Sequence, residues 1–126
     1  MHAYFPGMVV GIILLQTAII APSLVKTLSR EQFGVSIRAI WPKFFVVLMF
    51  LGLASLAVLL RVEEASVAQY AIAGGTVSAS LLCYAIIPAT NRATDTGNHA
   101  RFKRLHQASV GLTVLMLLAN IAVVFL

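Results

Sequence analysis

Charge is what this chain has least of. Only 10% of its 126 residues are Asp, Glu, Lys or Arg, against roughly 25% in a soluble domain. So few charges cannot coat a globule with polar surface, which excludes a water-soluble fold and leaves the bilayer. Acids are scarcest: Glu31, Glu63, Glu64 and Asp95 are the whole set, and all stand in connectors between apolar runs. That excludes proton coupling through a carboxylate buried in a span. The single cysteine, Cys83, lies inside an apolar run, so no intrachain disulfide is possible and the thiol count says nothing about compartment. The three histidines, His2, His99 and His106, are too few and too scattered for a metal centre, which takes three or four protein ligands. A bis-histidine haem would need a second histidine in another span, and there is none. No metal and no cofactor are therefore expected. Catalysis is not expected either: Ser109 and His106 stand one turn apart, but no third group orients them.

What the chain has in abundance is apolar residue, 60% of the total, with mean hydropathy +0.97. Four runs can cross a membrane, at about 5–25, 43–60, 65–87 and 104–126. The first holds 21 residues without a charge, enough for a core of about 30 Å at about 1.5 Å per residue. It lacks a basic leader and is too long for a signal-peptide core, so it reads as a permanent span. Short connectors then predict one domain over 1–126, an all-α integral membrane antiparallel four-helix bundle.

Local signals refine this plan. Pro22 is expected to kink or end the first span. Ser29 and Gln32 form a capping box, opening a short amphipathic helix through Ile40 that lies on the membrane surface with Phe33, Ile37 and Ile40 on one face. Trp41 then sits at interface depth, and Pro42 breaks the surface helix before the second span. Gly52 and Ser55 share one face of that span. In the third span Ala71, Gly75 and Ala79 make a small-residue stripe, and Thr76, Ser80 and Cys83 a polar one. Gly7 and Gly11 offer another close-packing pair in the first span. Pro88 is expected to end the third span and open a polar loop over 88–103. Within it Thr94–Gly97 reads as a turn, and Asn98 as the N-cap of the last helix.

The bases are distributed unevenly. Lys26, Arg30, Arg38 and Lys43 flank the first connector, and Arg92, Arg101, Lys103 and Arg104 the third. Only Arg61 lies in the second, beside Glu63 and Glu64. The positive-inside bias then places connectors one and three in the cytoplasm and both termini outside. With net charge +5 and pI about 10.0, anionic headgroups rather than nucleic acid are the expected partners. Arg38, Trp41, Lys43, Arg92, Arg101, Lys103 and Arg104 are the residues placed to meet lipid or another subunit.

In the last span His106, Ser109, Thr113 and Asn120 recur at spacings of three, four and seven, which predicts one polar face. In the first span Gln16 stands alone near the centre. Such groups are costly against lipid and are expected to face the bundle or a partner, with His106 turned inward near the loop. Two functions suit this: an accessory or packing subunit that joins other membrane proteins or its own copies, or a small homo-oligomeric transporter or channel.

The segments FGVSIRAIWPKFF (Phe33–Phe45) and FKRLHQAS (Phe102–Ser109) resemble parts of the transmembrane-protein-205-like proteins. That family includes small bacterial inner-membrane proteins catalogued as a domain of unknown function. The matching positions are Phe33, Gly34, Pro42, Phe45, Phe102, Leu105, His106 and Ser109, with the likeness running in span order through nearly the whole chain. An asparagine often follows that serine by one turn in the family; here Thr113 stands there. The resemblance implies a four-helix integral protein of the bacterial inner membrane and no particular reaction.

Overall fold

A computed structural model describes residues 2–126. Four helices are long and apolar enough to cross a membrane: Tyr4–Thr27, Arg30–Leu59, Val67–Asp95 and His99–Phe125. Among the described residues there is no strand. Each helix packs on its sequence neighbour, and the first also packs on the fourth, closing an up-down-up-down ring. Every helix contributes to the central core: Val9 and Ile13, then Phe44, Phe45 and Leu48, then Ala79 and Cys83, then Met116. The opposite faces carry exposed apolar side chains such as Leu15, Ile19, Phe50 and Leu115, the arrangement a hydrocarbon solvent demands.

The helix starts follow the sequence closely. Ser29 and Gln32 form the expected capping box, Ser29 Oγ accepting from the Gln32 N–H and Gln32 Oε1 from the Ser29 N–H. Ser66 and Gln69 repeat it at the head of the third helix. That second Ser-x-x-Gln spacing is an unheeded start signal of the same kind. Asn98 caps the fourth helix by accepting from the Arg101 N–H.

Neither Pro22 nor Pro42 ends its helix. The first helix continues past Pro22 to Thr27. Upstream of it, Leu15–Ile20 widens into a π-helical turn in which the Ala21 N–H reaches back to the Gln16 carbonyl. The wider turn lets the chain absorb a residue that can neither donate nor tolerate the usual carbonyl contact. Pro42 likewise lies inside one 30-residue helix, Arg30–Leu59. There is therefore no separate surface helix: its predicted residues are helical, but they form the first turns of the second span. Packing across the proline accounts for this. Trp41 stacks on Phe45 at 5.3 Å and meets Phe44 edge-on, also at 5.3 Å, so an aromatic cluster holds both sides of the missing hydrogen bond.

The predicted polar loop over 88–103 is also mostly helix. Ile87–Asp95 continues the third helix after a step at Ile86, with Pro88 in the first turn, where no donor is needed. Only Thr96, Gly97 and Asn98 separate it from the fourth helix, which starts at His99 as the Asn98 cap predicts, so its first turn takes up the rest of the expected loop. The turn is a Schellman motif. Gly97 takes φ +71°, its N–H meets the Thr94 carbonyl, and the Asn98 N–H meets the Ala93 carbonyl. The expected turn is in place, tightened by a glycine whose left-handed backbone costs it nothing.

Candidate functional site

Several buried polar groups of the spans gather in a seam between the third and fourth helices. Thr76 and Ser80 point from one side, Met116 and Asn120 from the other. Asn120 is 2% exposed and donates from Nδ2 to Thr76 Oγ1 at 2.9 Å and to its own helix at the Met116 carbonyl, 2.8 Å. The Thr76 hydroxyl donates to the Ile72 carbonyl. Ser80 donates to the Thr76 carbonyl at 2.6 Å and lies 3.4 Å from Met116 Sδ. One helical turn further along, Cys83 Sγ lies 3.9 Å from the Ser109 carbonyl, which also accepts from the Thr113 hydroxyl at 2.7 Å. Because the helices run antiparallel, the Thr76–Ser80–Cys83 stripe reads against Asn120–Met116–Ser109 in reverse order.

Only part of the expected polar face enters this seam. Thr113 and Asn120 are buried and Ser109 is half-buried, whereas His106 is exposed. Its ring instead stacks on Phe102 of the same helix, 5.4 Å away. The inward placement of His106 is thus corrected. A heptad stripe slips by about 20° per heptad on a straight helix. From Asn120 back to His106 is two heptads, enough to carry the ring off the packed face.

The small-residue stripes divide in the same way. Ala79 is buried, but Ala71 and Gly75 are exposed. Gly7 and Gly11 also lie on an outer face, where an added β-carbon would meet nothing within 4 Å. The true close approach is at Gly52. A β-carbon there would stand 2.8 Å from Val77 Cγ2 and 3.1 Å from the Val77 backbone nitrogen.

At the basic end of the bundle, Arg38 reaches the helix that follows the third span. Its Nη2 donates to Asp95 Oδ1 at 2.6 Å and its Nη1 lies 3.4 Å from Oδ2. Nη2 also lies 3.5 Å from the Asn91 carbonyl. Asp95 stands beyond the apolar stretch, and the Arg38 guanidinium lowers its pKa, first by hydrogen bonding and then by charge, against an opposing desolvation effect. Arg38, expected at the lipid surface, is thereby engaged within the chain. This pair joins residues 57 apart in sequence, a partnership no local pattern announces. Lys43, Arg92, Arg101, Lys103 and Arg104 are exposed around the same end, and Trp41 is half-buried.

Two buried polar atoms have no partner among the described residues: Ser55 Oγ and Gln16 Nε2. Ser55 lines a cleft of about 10 Å³ at the opposite end, with His2, Pro6, Leu59, Gln69 and Val123. Nearby, the Tyr70 hydroxyl closes the end of the second helix by donating to the Leu59 carbonyl at 2.9 Å. Gln16, 4% exposed, lies under an open groove of about 240 Å³ between the first and second helices. Burial of Gln16 agrees with its expected avoidance of lipid, but no other helix answers its amide. Among the described residues, no three His, Cys, Asp or Glu side chains come together as a metal site would need.

A family model for a domain of unknown function, DUF4149, matches residues 5–99. The match takes in the first three spans and stops where the fourth begins, so the likeness seen at Phe102–Ser109 lies beyond it. No curated protein and no solved structure matches the chain.

Proposed function

Since the chain belongs to the DUF4149 family, whose domain has no known function, we propose a role from the geometry: a non-catalytic accessory or packing subunit of a membrane complex. The observation that carries this reading is the seam. Asn120, Thr76, Ser80 and Thr113 direct their donors at one another or at helix carbonyls, so they serve to hold helices together. The outer apolar faces, with Leu14, Leu15 and Ile19 on the first helix and Leu115 and Leu118 on the fourth, supply surface for other spans.

In this reading the protein lies in the inner membrane with its basic end in the cytoplasm and both termini outside. The uneven distribution of bases supports that orientation. Arg92, Arg101, Lys103 and Arg104 then meet anionic headgroups, each contributing about 1 kcal/mol near such a surface. A small transporter or channel acting as a homo-oligomer is the second reading, and the unpartnered Gln16 and Ser55 favour it.

The test is mild extraction of the chromosomally tagged protein at its native level. Stoichiometric co-purification with a larger membrane assembly supports the accessory role. A homo-oligomer without other subunits, coupled with flux across liposomes, supports the second reading and overturns the first.

A further inference from the structure

We propose that the groove above Gln16 is a binding site for one acidic phospholipid. The inference goes beyond the accessory role and does not depend on it. Three kinds of group line this groove together. Lys43 stands at the rim, exposed and cationic. Beneath the groove lies the Gln16 amide, buried and with no acceptor for Nε2. Ile12, Leu15, Ile20, Ile40, Phe44 and Val47 form the apolar walls.

A phospholipid presents the complementary groups: an anionic phosphate, ester carbonyls, which are acceptors only, and hydrocarbon. Lys43 lies within about 2 turns of both Trp41 and the Arg38–Asp95 pair, which sets it at headgroup depth. Its long stem can reach the phosphate while its methylenes lie along the groove. An ester carbonyl oxygen of the same lipid meets the amide once the flexible Gln16 side chain turns toward the groove. An unanswered donor in hydrocarbon costs several kcal/mol, so the site gains by taking an acceptor. The π-helical turn Leu15–Ile20 begins immediately before Gln16, and such turns recur where a helix is shaped for a ligand. The volume is below the roughly 300–1,000 Å³ of an enclosed small-molecule pocket, which suits the glycerol region and upper chain of a lipid whose remainder stays in the bilayer. A neighbouring helix fits less well, because its backbone carbonyls are already bonded within it.

Native mass spectrometry of the intact protein, titrated with phosphatidylglycerol or with phosphatidylcholine, tests this. Wild type is expected to retain one phosphatidylglycerol in preference to phosphatidylcholine. Lys43→Gln should lower that retention about fivefold, and Gln16→Leu should lower it further. Val47→Trp, at an exposed wall position, should block the site while leaving thermal stability unchanged, which separates loss of the site from loss of the fold. The triple change Arg101→Gln, Lys103→Gln and Arg104→Gln should leave this one lipid in place, whatever it does to the looser annulus. Equal retention by wild type, Lys43→Gln and Val47→Trp would overturn the proposal. So would a lipid-free dimer dissociated by Val47→Trp, since a second copy would then occupy the groove.

Discussion

Asn120 is the side chain whose amide crosses between helices, and its worth can be isolated. Replacing it with Ala removes the bond to Thr76 but leaves the Thr76 hydroxyl bonded to the Ile72 carbonyl, so no buried donor is orphaned. A double-mutant cycle of Asn120→Ala with Thr76→Val is expected to give a coupling of about 0.6 kcal/mol, typical of such pairs in membranes. Reversible unfolding in mixed micelles measures it, and a coupling of zero would mean that the seam is held by packing alone. Gly52 tests packing directly. Gly52→Ala sets a methyl against the Val77 backbone nitrogen, which cannot swing aside, so a loss of about 1–3 kcal/mol is expected. Gly75→Ala meets nothing and is expected to be neutral or to stabilise by up to about 1 kcal/mol through helix propensity. If the two substitutions proved alike in the same unfolding assay, the close approach of the second and third helices would be wrong. Residue chemistry alone points to Thr113, Asn120 and Gln16 as buried. It cannot separate Gly52 from Gly75, because both are small and what differs is the neighbour supplied by another helix.

At the scale of the element, starts are more legible than ends. Ser29, Asn98 and Gly97 act through atoms within three to five residues, so spacing alone reveals them. Pro22, Pro42 and Pro88 suggest breaks because a proline disfavours helix locally. Tertiary packing and a widened turn override that preference at the first two, and a first-turn position makes it harmless at the third. The longer helices bring Arg38 and Asp95 together, which gives a pH prediction. The Asp95 pKa is lowered in the folded state from its ordinary value of 3.8. The pair therefore contributes fully above that value and fades as pH falls through the lower folded one. Between about pH 6 and pH 3, the melting temperature of wild type is expected to fall more steeply than that of Asp95→Asn. The effect is small because the pair is exposed, and salt weakens it. Parallel curves for the two proteins would show that the contact does not persist in solution.

For the whole molecule, the decisive pattern is that neighbouring connectors carry opposite kinds of charge. The Thr96–Asn98 turn joins two helices whose adjoining ends carry Arg92, Arg101, Lys103 and Arg104, while the hairpin at the other end carries Arg61 with Glu63 and Glu64. Because the four helices form a closed up-down-up-down ring, the location of one connector determines all the others. The bundle could be inserted either way without changing a single internal contact; only the cost of moving bases across the membrane distinguishes the two orientations, and eight of nine bases cluster at one end. Thr96 and Glu64 are exposed at opposite ends, so each can report its side. In a Cys83→Ser background, Thr96→Cys is expected to react with a membrane-impermeant maleimide only after the cells are opened, and Glu64→Cys in intact spheroplasts. The Cys83 thiol faces the Ser109 carbonyl, an acceptor that a serine hydroxyl can also use, so the background change leaves the fold intact. The reverse labelling pattern would invert the molecule and place the Lys43 rim in the outer leaflet. Labelling of both sites from one side would contradict the four-span fold itself.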